Sequence, residues 1–338
     1  MFSSTLTIDN QSFDLKILFD LSGKKLELSN PRLDAILRSF QVAGIDTSKY
    51  FLSDLFPNKQ LFKDLVAERN EKLNFLFQEI KDPDVLSFYE QFRPFVQLLE
   101  TKINGQKLKT DLTPNRISFN PTGSKDGRLS TKKAFLNIYS LAKEERCRIQ
   151  SIPEYRFVQF DYRSFQPRLA IFLSGDVAFR RRFESKEDIY EGEDREQQKL
   201  RFFQVMFGEK QSRELKPIFD LRKQIFEEIN RKGKIISPFG RPIFFSDDPE
   251  NVVFRNYITT CEADFVYRAG VKIDQLLSEK KSRIVWFFYD AVMLLIHQEE
   301  TELIKKIKNV VENDNIFNIR FPVKISQGKT FGDLKSLP

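Results

Sequence analysis

One stretch, 284-IVWFFYDAVMLLI-296, constrains the fold more than any other. It is the longest apolar run in the chain, and an acid, Asp290, interrupts it. A membrane-spanning helix needs about 20 apolar residues, and this run has 13 with a carboxylate in the middle. A buried hairpin fits better. IVWFF reads as one strand, Tyr289-Asp290-Ala291 as a tight reversal and VMLLI as the return strand. Asp290 then sits at the tip or shoulder of a hairpin whose strands are too apolar for solvent. A carboxylate there carries a large desolvation penalty unless a positive or donating group meets it.

The same setting recurs at Asp161, which ends the apolar run RFVQF. Two such strands side by side would bring two carboxylates within a few ångströms. Like charges that close repel unless a cation neutralises them. Hard oxygen ligands, completed by water and phosphate, suit Mg²⁺. Two such ions about 3.5–4 Å apart would stabilise the attacking and leaving oxygens of a displacement at phosphorus. A simpler reading stays open at this point: Asp161 as an N-cap or turn acid, and Asp290 as a turn residue.

The rest of the chain supplies context. Its 338 residues suffice for a large core or for two or three subdomains. Lys and Arg exceed Asp and Glu by 55 to 48, giving +7 and a pI near 9.1. That balance points weakly to nucleic acid or an anionic surface. Cys147 and Cys261 show neither metal-ligand spacing nor a disulfide framework, so a reduced cytoplasmic setting is expected. No signal peptide, membrane span or internal repeat is evident. Residues 1–30 lean towards strand in STLTI and FDLKILFDL. Residues 31–103 space their apolar residues by three and four and read as helical, with Pro94 as a kink. Residues 104–131 are loop. Beyond them, a helix beginning near Ser164, a hairpin at 234–245, helices over 250–280 and 299–313 and a strand near FPVKIS give an α+β fold with a mainly antiparallel sheet.

The segment 194-DREQQKLRFFQVMFGEK-210 is more specific. Arg195, Lys199, Phe203 and Phe207 recur every fourth residue and share one broad helical face. Two cations followed by two aromatics suit a ligand with a polyphosphate at one end and a flat base at the other. The competing reading is an amphipathic helix with its Phe residues in the core and its cations solvated.

Together these segments resemble the polymerase domain of family A DNA polymerases, the bacterial DNA polymerase I type. Four motifs carry the resemblance in the family's order: 127-GRLSTKKAFLNI-138, 161-DYRSFQPRLAIFLSGD-176, the Arg195-x3-Lys199-x3-Phe203-x3-Phe207-Gly208 helix, and 289-YDA-291 in place of H-D-E. They cover most of residues 115–300. The resemblance implies a right-hand fold with an antiparallel palm sheet. Residues 31–115 would form a helical thumb, 116–176 and 233–338 the palm, and 177–232 trimmed fingers. Residues 1–30 would be an extension of unassigned role. It implies DNA-templated addition of dNTPs to a primer 3′-OH, without a proofreading or 5′ nuclease domain. Asp161, Asp290 and the Tyr162 carbonyl would hold two Mg²⁺. Arg195 and Lys199 would bind the triphosphate, with Lys199 donating a proton to pyrophosphate. Phe203 would pack on the sugar, and Phe207 would stack near the templating position. Arg128 would reach the minor groove at the primer terminus, Asn137 would lie along the primer-template, Arg168 would be structural or near the primer, and Tyr289 would touch the primer end. Primer-template DNA, dNTPs and replication or repair proteins would be the partners, with no membrane.

Several positions depart from the family. Gln166 stands where the family has Glu, Phe207 where it has Tyr, and Ala291 where it has a third acid. A Glu facing Phe would be a poorly satisfied buried carboxylate, and a neutral Gln costs less to bury. Ribonucleotide exclusion by Gln166 is therefore expected to be relaxed. The helix 251-NVVFRNYITTCEADFVYRAG-270 carries an EAD echo of another family motif, with no residue assignable. Asp161 and Asp290 lie 129 residues apart, short for the family. Two alternatives follow from the departures: a non-catalytic nucleic-acid-binding protein on a degenerate scaffold, and a polymerase of the same scaffold with a different template or sugar choice.

Overall fold

The computed structural model describes residues 5–8, 11–26, 31–45, 52–56, 58–80, 82–190, 194–208, 212–244, 248–314, 317 and 319–337. The chain divides into two compact units, residues 1–89 and 90–338.

In the first unit β1 (Thr5–Ile8) and β2 (Gln11–Asp14) form an antiparallel hairpin. Helix α1 (Leu15–Leu21) follows without a loop because the Asp14 carboxylate accepts from the backbone N–H groups of Lys16 and Ile17. FDLKILFDL, expected to lean towards strand, is therefore helical from Leu15. Its buried Leu15, Leu18 and Phe19 fall at i, i+3 and i+4, and that period with a cap outweighs β propensity. Helices α2 (Pro31–Val42), α3 (Leu52–Leu55) and α4 (Lys59–Glu79) follow. Phe56 and Leu65 centre a cluster with Ile36, Leu37, Phe40, Leu55, Leu61 and Phe62.

The division between units falls inside α5 (Pro83–Leu98). Pro94 lies within this helix, which widens into a π turn over Leu99–Ile103. The segment 31–115 spans that division, and its last part belongs to the second unit. There Phe95 stacks on Tyr267 at 4.1 Å and Ile103 is fully buried.

The second unit is built on one sheet. The short strands β3 (Phe119–Asn120) and β4 (Ser130–Thr131) bracket the turn-rich loop, and α6 (Lys143–Cys147) leads towards β5 (Tyr155–Tyr162). Next come α7 (Phe165–Leu173), α8 (Val177–Glu184), α9 (Arg195–Phe207) and α10 (Lys216–Lys232). The hairpin β6 (Lys234–Ile236) and β7 (Pro242–Phe244) precedes the 27-residue α11 (Glu250–Leu276). The apolar run forms β8 (Arg283–Phe288) and β9 (Ala291–His297), with Tyr289 and Asp290 as the turn. Helix α12 (Leu303–Glu312) starts later than expected because Gln298–Glu300 forms a separate 3-10 turn capped by the His297 ring. The pair β10 (Asn313–Asp314) and β11 (Ile319–Arg320) leads to β12 (Val323–Gly328) and β13 (Lys335–Ser336).

The main sheet has the order β13-β12-β5-β9-β8, and every pairing is antiparallel. Strand β5 is paired on both sides and alternates. Val158, Phe160 and Tyr162 are buried on one face, and Phe157, Gln159 and Asp161 share the other. Helix α11 is buried along most of its length, which explains its weak amphipathic pattern. No described helix is long and apolar enough to cross a membrane.

Candidate active site

Strand β5 delivers Asp161 beside its neighbour's turn. Asp161 lies directly opposite Ala291 on β9, and the Tyr162 N–H donates to the Asp290 carbonyl at 3.0 Å. The two acids therefore come together at the same end of adjacent strands. Neither caps a helix: the N-cap of α7 is Ser164, which takes the left-handed region at φ 51° to turn the chain from strand to helix. Burial, and then the charge of Asp290, push the Asp161 carboxyl up to about 7, against the pull of Lys324 and Arg163. Burial also raises Asp290, opposed by its backbone hydrogen bond and by Arg128.

Two half-buried carboxyls, one raised by the other's charge, are hard oxygen donors in need of a cation. That donor chemistry fits a divalent ion of the Mg²⁺ type. The Tyr162 phenol donates to the Val311 carbonyl at 2.8 Å and its ring stacks on Phe165, so the backbone is what this residue could offer a metal. Among the described residues no set of three or more His, Cys, Asp or Glu could hold a metal ion. The remaining ligands would have to be water and substrate oxygens.

The basic helix α9 starts on the Asp194 carboxylate, which accepts from the Gln197 N–H. Its inner face is Phe202, Val205 and Met206. Arg195 and Lys199 are exposed, while Phe203 and Phe207 are half-buried with ring centroids 5.7 Å apart. The stripe thus lies outside the core of its own helix. Arg195 donates to Asp188 at 2.6 Å, and Asp188 also accepts from Ser164 Oγ at 3.4 Å. This chain of contacts ties the start of α9 to the turn after Asp161. Lys199 has no hydrogen-bond or ion-pair partner among the described residues. At the other end, the Asn251 amide of α11 donates to the Phe207 carbonyl at 3.3 Å.

The glycine-containing loop is pinned to α11. Gly127 has φ +76°, its carbonyl accepts from the Tyr267 hydroxyl at 2.9 Å, and a side chain there would press on Thr260. That contact fixes the next residue. Arg128 Nη2 meets Glu262 Oε1 at 3.0 Å, and its guanidinium lies 4.3 Å from the centre of the Tyr289 ring. Tyr289 is 44% exposed and stacks on Tyr139 at 5.0 Å. The Tyr139 hydroxyl donates to the Phe287 carbonyl at 2.7 Å, so the stack is anchored to β8. Asn137 is exposed, and its amide oxygen accepts from Thr131 at 3.3 Å.

Arg168 needs correcting as a primer contact. It is 7% exposed and donates to the carbonyls of Arg163, Lys186 and Glu187. It braces the turn after Asp161 rather than facing a ligand.

Sequence reasoning missed five residues in and around this site. Glu262, from the unassigned EAD echo, is 1% exposed and accepts a hydrogen bond from Arg128 at 3.0 Å. Burial pushes its carboxyl up to about 7, with Asp290 adding and Arg128 and Gln166 opposing. The adjacent pair Arg241–Asp264, with contacts of 2.8 and 3.0 Å, ties the residue after the β6 turn to the same helix. Lys324 lies on β12 directly opposite Asp161, an exposed cation on the same face. Tyr139, in the segment between Arg128 and α6, backs Tyr289. Only the EAD pattern left a trace in the sequence.

No known family profile and no curated protein matches the chain. Among solved structures it is similar to the POL domain of Pol1 from M. smegmatis, determined in complex with DNA primer-template and dNTP. The TM-score is 0.53 at 15% identity, covering 94% of this chain and 63% of that one. The chain thus spans less than two thirds of that neighbour's length. At this level of identity the likeness concerns architecture: this chain has the mixed α+β fold of a polymerase domain.

Proposed function

We propose that the protein is a DNA-templated DNA polymerase that adds dNTPs to a primer 3′-OH. The observation that carries this reading is the pairing of Asp161 with Asp290, two half-buried carboxyls driven upward at the ends of neighbouring strands. Two bound Mg²⁺ would stabilise the attacking and leaving oxygens of the displacement. Asp161, Asp290 and the Tyr162 carbonyl would hold them.

The chain's own residues would do the rest. Lys199, exposed and without a described partner, would meet the triphosphate and hand a proton to departing pyrophosphate. Arg195 would join it by exchanging Asp188 for phosphate, a swap between two anions on one exposed guanidinium. Phe203 and Phe207 would receive sugar and base, and Gln166 would border the sugar. Arg128, with Tyr289 beneath it and Asn137 nearby in sequence, would contact the primer-template. The Nε of Arg128 is buried without a hydrogen-bond partner among the described residues, which leaves a donor in want of an acceptor. We read 31–115 as the thumb, 177–232 as reduced fingers and the two segments around the main sheet, 116–176 and 233–338, as the palm.

Primer extension tests the proposal, run with dNTPs and then rNTPs on DNA and RNA templates. The expected result is extension with dNTPs on DNA, abolished by Asp161→Asn while DNA binding persists. An Asp161→Asn protein that extends as well as the wild type would sink the site assignment. Gln166, Phe207, Tyr289 and Ala291, which stand where the resembled family has other residues, motivate one competing reading, a nucleic-acid-binding protein on this scaffold. DNA binding without any extension would select it.

A further inference from the structure

Resting on the polymerase reading, we infer that Tyr139 is the positioning residue for the primer end: it fixes the Tyr289 ring on which the Arg128 guanidinium lies, and so sets where Arg128 meets the primer terminus.

Tyr289 links two segments that are distant from it in sequence. On one side the Tyr139 ring stacks on it, with centroids 5.0 Å apart and planes at 17°. The Arg128 guanidinium carbon lies 4.3 Å from the centre of the same Tyr289 ring. Both outer members are anchored. The Tyr139 hydroxyl donates to the Phe287 carbonyl at 2.7 Å, and its ring meets Trp286 and Phe288 edge-on at 5.7 and 5.8 Å. Tyr139 therefore touches every residue from Trp286 to Tyr289, the last of them adjoining Asp290. Arg128 Nη2 lies 3.0 Å from Oε1 of Glu262, whose side chain is 1% exposed. The residue before Arg128 is pinned as well, through the Gly127 carbonyl and the Tyr267 hydroxyl at 2.9 Å.

Tyr289 itself is 44% exposed. A ring that open to solvent keeps one orientation only if its neighbours hold it. A stacked aromatic and a cation on the ring face both do so. Tyr139 is half-buried and bonded to the strand, so it is the fixed member and Tyr289 the one held. The effect passes on to Arg128. Its Nη2 is taken by Glu262, its Nε is buried and its face lies on Tyr289. The Nη1 edge is what remains for a ligand, and it has no hydrogen-bond partner among the described residues. A donor edge suits purine N3 and pyrimidine O2, acceptors that every base pair presents in the minor groove. The aim of that edge depends on the tilt of the guanidinium, and hence on the ring it rests on. Tyr139 thus acts on the primer end without touching it.

The test is steady-state extension with primer-template varied at saturating dNTP, in wild type, Tyr139→Leu, Tyr139→Phe, Tyr289→Leu and the double variant Tyr139→Leu/Tyr289→Leu. Thermal melting shows which variants fold. Loss of the stack and of the cation's platform predicts a rise of about fivefold in KM for primer-template in Tyr139→Leu, larger than any fall in kcat. Loss of hairpin packing alone would instead lower kcat through Asp290 and leave KM in place. Tyr139→Phe, which keeps the ring and loses the bond to the Phe287 carbonyl, should recover most of the effect. Tyr289→Leu breaks the same stack at its exposed member and should raise KM as much. The double variant should go no further than Tyr289→Leu, because Tyr139 acts through Tyr289. A folded Tyr139→Leu with wild-type KM overturns the inference and leaves the polymerase reading standing. Additive effects in the double variant likewise overturn it. If Tyr139→Leu does not fold, a Tyr289→Leu protein with wild-type KM overturns it in its place. A wild-type protein that extends no primer overturns the polymerase reading and this inference with it.

Discussion

At the scale of single residues, the charge state of Asp161 is the sharpest handle. Its carboxyl lies near 3.8 in an ordinary setting and about 7 in the folded chain without metal. Between those values the folded state holds a proton that the unfolded state has released. Stability contributed by this group is therefore fullest at low pH and is lost as pH rises from about 4 through about 7. Asp161→Asn removes the burden. In metal-free buffer the variant should melt higher than wild type at pH 8, and the gap should close towards pH 4. Equal melting temperatures across that range would count against a desolvated, repelled pair. Asp161 and Asp290 were legible because an acid inside an apolar run has few physical explanations. Glu262 was not legible: its meaning depends on Arg128, 134 residues away in sequence, and nothing local marks that encounter. Lys324 was hidden for the same reason, since a lone Lys in an alternating strand does not reveal which strand it will face.

At the scale of elements, the packing of α11 on the hairpin is what holds the site's floor. Gly270 lets that helix approach β8. A Cβ at this position would come within 2.6 and 2.7 Å of Phe287 ring atoms, and Phe287 is itself only 1% exposed. Gly270→Ala gains helix propensity worth about 1 kcal/mol. The overlap in a filled core costs about 1–3 kcal/mol and outweighs it. A net loss of about 1 kcal/mol is expected, read as a lower urea midpoint with an unchanged slope. Element types were mostly legible where period and punctuation agreed, as in β8 and β9, the PFGR hairpin, and α9 with its Asp194 cap. They failed where a cap overrode composition. Leu15–Leu21 is rich in β-leaning residues, yet Asp14 starts it as a helix. Helix α12 is displaced by the His297-capped turn, a local bond that periodicity does not register.

At the scale of the whole molecule, the excess of positive charge gives a measurable expectation. A protein that neutralises several phosphates releases the counterions around them. With a net charge of +7, affinity for primer-template DNA should fall roughly tenfold or more between 50 and 200 mM salt. A flat dependence would argue against backbone contacts. The division at residue 89 was not legible, because α5 runs through it as one uninterrupted apolar period. The sheet, by contrast, follows from its strands, and its central member has the largest consequence. Strand β5 is hydrogen-bonded on both flanks, to β9 and to β12. A shift of one position along either neighbour would swing Asp161 beneath the helices and bring Phe160 or Tyr162 up in its place. Alignment of the two acids is thus all-or-nothing: the ladder acts like a ratchet with a tooth spacing of one residue, and a chain that folds at all folds with its acids already in step.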